Sequence, residues 1–436
     1  MTSLKIHGGS AREIARSIED AVHAGALAEE AALPPIRALA RTLKVSPVTV
    51  TAAYRLLRAR GLVTGQGRRG TRLQPRAMVP ARVHPLPPNA VDLASGNPDP
   101  LMLPVLAHAL RTVPSEPTLY GDPLQLRALT AFAAGEFQAD GIPADALVVT
   151  SGALDAIERI LHEHLRSGDR VAVDDPGFAP LLDLLRASGF SLEPFRVDDE
   201  GPDPESFERA MQHAEAVVVT PRAQNPTGAA LTAARKAALT PILHTRPDVL
   251  VIENDPFSAL AHERGTFLSD GSRRHWAVVR STTKFLGPDL RLAVVSGDAA
   301  TIARVQRRQS LGPRWVSHVL QHLALALWSD PSAGRQLARA AAIYAQRREA
   351  LIAALDSHRI DAHGRSGINV WIPVADETAT VQALADRGWA VAAGERFRIR
   401  AAPAIRVTTS ALEPADSERF ARDLASLARP PAAAFA

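Results

Sequence analysis

A chain of 436 residues, 46% hydrophobic and 22% charged, is long enough for two or three domains with sizeable cores. It contains no cysteine, which excludes disulfides, thiol nucleophiles and thiolate metal sites. It has no run of 18 apolar residues and no charged-then-apolar leader over Met1 to Ser10, so a cytoplasmic protein without a membrane span is expected. The 14 histidines offer no metal-ligand spacing: His162 and His164, two apart on a predicted helix, point to different faces.

Charge is divided unevenly. Residues 1–76 hold 13 Lys and Arg against 5 Asp and Glu, whereas the remainder holds 37 against 41. The positive excess is N-terminal, which points to a polyanionic partner, most simply nucleic acid.

From Ser10 to Ala28, apolar Ile14, Ile18, Val22 and Leu27 recur near the helical period, with Ser10 and Glu13 spaced as a capping box. Leu33 to Leu43 predicts a second helix that opens on proline. Ser46-Pro47 predicts the cap and first residue of a third, which runs to a stop at Gly61. Two short helices around a tight turn have the helix-turn-helix layout. Leu62-Val63-Thr64 and Thr71-Arg72-Leu73 then flank a glycine-rich hairpin carrying Arg68 and Arg69, which predicts a winged helix-turn-helix.

This stretch resembles the GntR superfamily through Leu33-Pro34-x-x-Arg37-x-Leu39-Ala40, Val45-Ser46-x-x-Thr49-Val50-x-x-Ala53-Tyr54-x-x-Leu57, Gly61-Leu62-Val63 and the Gly65-x-Gly67 wing. The resemblance implies double-stranded DNA as partner, with Arg37, Ser46, Thr49, Arg68 and Arg69 as contacts, most of them to phosphate. Pro47 departs from the pattern, because many members carry a DNA-reaching arginine there. Residues 1–74 are therefore read as a DNA-binding domain. Residues 75–90, rich in proline, are read as a linker, and 91–436 as a separate effector domain.

Beyond Asp92, apolar runs at 147–149, 170–173, 216–219, 249–252, 277–279 and 292–295 alternate with longer helical patterns. They predict an α/β domain with a mixed, mostly parallel sheet whose sites lie at the strands' carboxyl ends. Each motif of interest follows one of these runs. Ser151-Gly152-Ala153 is a small-residue turn into a helix N-terminus, suited to a phosphate. Asp174-Asp175-Pro176-Gly177-Phe178 lifts an aromatic out of a turn, Asn225-Pro226-Thr227-Gly228 holds an amide in a rigid turn, and Glu253-Asn254-Asp255-Pro256-Phe257 places an acid at a strand end.

Ser281-Thr282-Thr283-Lys284 and Arg291 stand out for a different reason. The chain has only four lysines, at 5, 44, 236 and 284, among 50 basic residues, so arginine fills almost every position where a generic positive charge would do. A lysine between two apolar strands can lose its proton when desolvated, which a guanidinium cannot, and then attack a carbonyl. The flanking hydroxyls and Arg291 suit a phosphate dianion.

In this order the motifs resemble fold-type I aminotransferases, which bind pyridoxal 5′-phosphate (PLP), with a smaller C-terminal α+β subdomain. The resemblance implies Lys284 as the Schiff-base lysine, Asp255 as partner of the pyridine nitrogen and Asn225 as partner of the ring hydroxyl. Phe178 would stack on the ring, while Gly152, Ala153, Ser281, Thr283 and Arg291 would hold the phosphate. Tyr120 would reach the phosphate of a neighbouring subunit. Arg406, in Ala404-Ile405-Arg406-Val407-Thr408, would clamp an amino acid carboxylate, with Arg398 and Arg400 as rivals. Phe257 replaces the family's usual tyrosine, and the segment from Tyr120 to Arg127 is shorter than usual.

A winged helix joined to an aminotransferase-like domain is the architecture of the MocR subfamily. It implies a homodimeric transcriptional regulator that senses PLP or a PLP–amine adduct; the alternative is a working aminotransferase carrying a DNA-binding domain.

Overall fold

Ser10 and Glu13 close the predicted capping box in the computed structural model: Glu13 N–H donates to Ser10 Oγ at 3.3 Å, and Ser10 N–H donates to the Glu13 carboxylate at 3.3 Å. This starts helix α1, Ala11–His23. The structure describes residues 6–23, 27, 31–59, 62–65, 71–73, 90–261 and 264–428, so the predicted end of this helix, Gly61, Arg68, Arg69 and most of the proline-rich stretch lie outside the described residues. The chain divides into two compact units, Met1–Val83 with Leu165–Val171 and Pro180–Leu192, and the rest.

In the N-terminal part of the first unit, α2 (Ile36–Leu43) begins three residues later than its sequence pattern, with Pro35 (φ -55°, ψ 139°) as its N-cap and the Pro35 carbonyl accepting from Ala38 and Leu39 N–H. It ends on Lys44 in the left-handed conformation, φ 53°, which turns the chain into α3 (Pro47–Ala59). Ile14, Ile18, Leu39, Val50, Ala53 and Leu57 fill the core between the three helices. Strands β1 (Val63–Gly65) and β2 (Thr71–Leu73) pair antiparallel, and residues 31–33 add a third edge through Leu33 N–H to Thr71 C=O and Leu73 N–H to Ala31 C=O. That edge was not evident from the sequence, because Ala31 to Leu33 carries no alternation long enough to read.

Residues 91–408 hold two sheets. Their strands are β3 (Val91–Leu93), β4 (Leu147–Thr150), β5 (Arg170–Asp175), β6 (Ser191–Asp198), β7 (Gly201–Pro202), β8 (Ala216–Val219), β9 (Leu250–Asp255), β10 (Trp276–Ser281), β11 (Ala293–Gly297), β12 (Asn369–Pro373), β13 (Trp389–Ala393) and β14 (Ala404–Thr408). The large sheet has the order β4-β11-β10-β9-β8-β5-β6-β7. Strands β8, β9 and β10 run parallel, while β11 is antiparallel to both β10 and β4. The central strands are buried on both faces, hence their continuous Val, Ile and Ala runs. A four-stranded sheet, β12-β14-β13-β3, forms the smaller subdomain, bridged by the 27-residue helix Pro331–Ser357. No helix among the described residues is long and apolar enough to cross a membrane.

Candidate cofactor-binding site

The carboxyl ends of β4, β8, β9 and β10 converge on one cavity of about 110 Å³, lined by Gly96, Ala153, Leu154, Phe178, Thr220, Ala223, Asn225, Asn254, Pro256, Phe257, Ser281, Thr283, Lys284, Arg291, Ile368 and Asn369. A single water needs only about 10–15 Å³ on this measure, so the space suits a small organic ligand.

At one end, β4 leads through Gly152 into the helix Ala153–His164. Gly152 has φ +102°, and a Cβ there would sit 3.1 Å from Arg291 Nη2. Glycine thus lets the guanidinium close on the helix N-terminus, whose first N–H groups have no intrahelical acceptor. Ser281 and Thr283 pair their hydroxyls at 2.9 Å. Arg291 makes no hydrogen bond or ion pair among the described residues, although φ 26° holds its backbone in the left-handed region. Hydroxyls, free N–H groups and an unspent guanidinium form a donor set for a dianion.

Lys284 sits at the cavity wall, its Nζ donating to Gly96 C=O at 2.6 Å. Burial and then the nearby Arg406 guanidinium pull its ammonium down to about 8, so a useful fraction is free amine near neutrality. Arg406, on β14, is buried; its Nη1 donates to Asn225 Oδ1 at 3.2 Å, its Nη2 donates to Ala94 C=O, and its Nε has no partner among the described residues. Burial, then repulsion from Arg396, lowers it to about 10 against the pull of Asp92. Its plane lies over Phe397, 4.8 Å from the ring centroid. Because Asn225 Oδ1 is occupied by Arg406, the Asn225 amide N–H₂ is the end left to serve a ligand oxygen. The rivals stand elsewhere: Arg398 pairs with Glu377 at 2.9 Å, and Arg400 is exposed.

Asp255 is the expectation that the structure corrects. It is fully buried and does not line the cavity. Successive side chains on a strand alternate faces, so Asp255 shares a face of β9 with Glu253 while Asn254 takes the other. Its carboxylate accepts from Arg222 Nε at 2.8 Å, Arg222 Nη2 at 2.7 Å, Arg280 Nε at 2.9 Å and Ser258 N–H at 3.1 Å. Asp140 bridges the same two arginines at 2.9 and 2.5 Å. Burial pushes the Asp255 carboxyl up, but the two guanidiniums outweigh it and hold it far below the ordinary carboxylate range. Asn254 lines the cavity instead, 4% exposed, and its Oδ1 has no hydrogen-bond partner among the described residues.

Tyr120 also stands apart from the cavity. It is 80% exposed, edge-on to Trp315 at 5.6 Å, with Arg314 over its ring. In the first unit, Ser46 Oγ caps α3 by accepting from Thr49 N–H at 3.1 Å and lies 2.8 Å from the Thr49 hydroxyl. Arg37 is exposed and Thr49 half-buried. Val48, not singled out from the sequence, is 76% exposed on the first turn of α3, where a methyl group can meet a thymine methyl.

Gly96, Thr220, Ala223, Asn254 and Asn369 line the cavity without having been anticipated. The period-two alternation of β9 was the available signal for Asn254. The others sit on loops or on strands too short to show their face.

The family of Aminotransferase class I and II matches residues 88–424, and the family of Bacterial regulatory proteins, gntR family, matches residues 10–73. The chain belongs to the MocR subfamily of GntR-type regulators, a helix-turn-helix domain fused to a fold-type I aminotransferase-like domain; it is a PLP-binding, DNA-binding transcriptional regulator. It is 42% identical to the vitamin B6 salvage pathway transcriptional repressor PtsJ of Salmonella typhimurium (strain LT2), over 96% of this chain and 98% of that one. It is also 25% identical to the uncharacterized HTH-type transcriptional regulator YdcR of Escherichia coli (strain K12), over 84% and 86%. Among solved structures, an archaeal alanine:glyoxylate aminotransferase superposes with a TM-score of 0.70 at 21% identity, over 78% of this chain and 90% of that one, a likeness of fold.

The residues present fit PLP on three counts: the anion cradle at Gly152 and Arg291, a lysine with a depressed ammonium, and buried polar atoms of Asn254 and Arg406 that have no partner among the described residues. When bound, PLP supplies an aldehyde that a primary amine can capture.

Proposed function

We propose that the chain acts as a homodimer whose second unit reads PLP, alone or with an amino acid, and whose DNA grip shifts in response. The observation that carries this reading is the nearness of Lys284, on the cavity wall, to the buried Arg406, which donates to the cavity-lining Asn225; the first is suited to capture the aldehyde and the second a carboxylate. Ser281, Thr283, Arg291, Gly152 and Ala153 hold the phosphate, Asn225 the ring oxygen and Phe178 the ring face.

The homodimer is supported by exposed apolar side chains: Leu101 is 85% exposed, Leu119, next to Tyr120 in sequence, 64% and Leu311 79%. Exposed apolar side chains of this size call for a covering surface, and a partner subunit seated over Leu119 and Tyr120 would bring Tyr120 to a neighbouring phosphate cradle. Two winged helices then read two half-sites, Arg37, Ser46, Thr49, Arg68 and Arg69 touching DNA, with residues 75–90 as the tether. Its control of vitamin B6 supply is proposed from the name of its Salmonella relative. Ligand and DNA are coupled only if PLP binds the two states with different affinity.

The test uses the full chain, with hydride reduction followed by peptide mapping and footprinting of its upstream DNA with and without PLP. Added cofactor mass on Lys284 and a PLP-dependent footprint are expected. An unmodified Lys284, or a Lys284→Ala variant whose footprint still responds to PLP as the wild type does, overturns the covalent sensing role.

A further inference from the structure

We propose that Asn254, and no acid, faces the pyridine nitrogen of bound PLP, so that the cavity holds the cofactor with that nitrogen unprotonated, as a ligand to be read and not as an electron sink. The inference rests on the assignment of PLP to this cavity.

The covalent order of the ring carries the placement. In PLP the aldehyde is flanked by the ring oxygen on one side and the phosphate arm on the other, and the nitrogen lies across the ring from the aldehyde. With Lys284 at the aldehyde, Arg291 at the phosphate and Asn225 at the ring oxygen, the nitrogen falls to the remaining polar wall. That wall offers Thr220, Asn369 and Asn254. The Thr220 hydroxyl is engaged with Asp174, and Asn369 Oδ1 accepts from Thr408 Oγ1 at 3.1 Å. Asn254 alone of the three has a buried polar atom without a partner among the described residues.

No carboxylate lines the cavity among the described residues. Asp255 lies on the other face of β9 with its oxygens spent on Arg222, Arg280 and Ser258. An amide donates through Nδ2 or accepts through Oδ1 after a half-turn, so it meets a neutral nitrogen as a donor, but it brings no negative charge. A protonated pyridinium here would be a buried cation with no carboxylate beside it, near the cationic groups of Lys284 and Arg406. The neutral form therefore wins, and electrons released at a bound amine are drawn into the ring only weakly. Such a pocket keeps its ligand chemically intact, which suits a sensor.

The full-length protein reconstituted with PLP labelled with ¹⁵N in the ring tests this by NMR. The wild type should show the nitrogen in the neutral-pyridine range, and Asn254→Asp should move it to the protonated range. In the same variant, bleaching of the visible band by an added amino acid should be at least about tenfold faster. The wild-type spectrum decides even if the variant fails to fold. A protonated nitrogen in wild-type protein that retains PLP overturns this inference alone, as does an Asn254→Asp nitrogen that stays neutral. Failure to retain any PLP overturns the cofactor assignment and this inference with it.

Discussion

The two faces of β9 make opposite use of polar groups one residue apart. On one face Asp255 is locked with Arg222, Arg280 and Asp140 into a buried four-residue ion network, with Arg280 stacked 4.5 Å from the Phe137 centroid. On the other, Asn254 lines the cavity with a neutral amide whose oxygen has no hydrogen-bond partner among the described residues. The first face binds the sheet to the residues beneath it; the second is left for a ligand. Charge near a binding cavity is therefore no guide to its electrostatics until the pleat has assigned each side chain to a face.

Breaking the structural face should give the largest effect. Asp255→Ala strands two buried guanidiniums and should cost about 3–5 kcal/mol, read as a lowered denaturation midpoint for the second unit. A wild-type-like midpoint would show that the network is dispensable. The same carboxyl sets an acid limit with a definite sign. Because its folded-state affinity for protons is depressed, its contribution is present above the unfolded carboxylate range, near pH 4, and is lost only as pH falls below it.

Beside the cavity, Arg406→Ala removes a buried guanidinium that donates to the lining residue Asn225. It should weaken any amino acid effect on DNA binding by about ten- to a hundredfold, as expected for loss of a charged hydrogen-bonding partner of roughly 1.5–3 kcal/mol. Retention of PLP, followed by its visible band, should persist; an intact amino acid response would move the carboxylate site elsewhere.

Ser46→Ala contrasts the cavity with the DNA-binding unit. Losing the α3 cap should destabilise that unit by about 1 kcal/mol and weaken DNA binding, while PLP binding stays unchanged. The smallest effect is expected from Phe257→Tyr. An added hydroxyl donor to the ring oxygen stabilises its anionic form, so the pH transition of the visible band should shift downward by less than about one unit; coincident titrations would show that the hydroxyl does not reach the ring.

Much of this was legible in the sequence because local chemistry and fold agree there. The capping box at Ser10 and Glu13, the turn at Lys44 and the loop between β10 and β11 are fixed by residues within a few positions of each other. Lys284 stood out because lysine is so rare in this chain. The Asp255 role was misassigned because an acid at a strand end looks the same in sequence whichever face it occupies. Its partners, Arg222 and Arg280, are 33 and 25 residues away. Strands β12 to β14 were not read individually, since runs such as Asn369–Pro373 are short and carry tryptophan or proline in place of a clear period.

The central claim is that a ligand in the second unit changes how the first holds DNA. The most direct measurement is the affinity of the full-length protein for its own upstream DNA at fixed salt, with and without saturating PLP. The account predicts two isotherms separated by at least about fivefold, with PLP affinity changed by the same factor when DNA is present. Superimposable isotherms, from protein shown by its visible band to retain PLP, would contradict it.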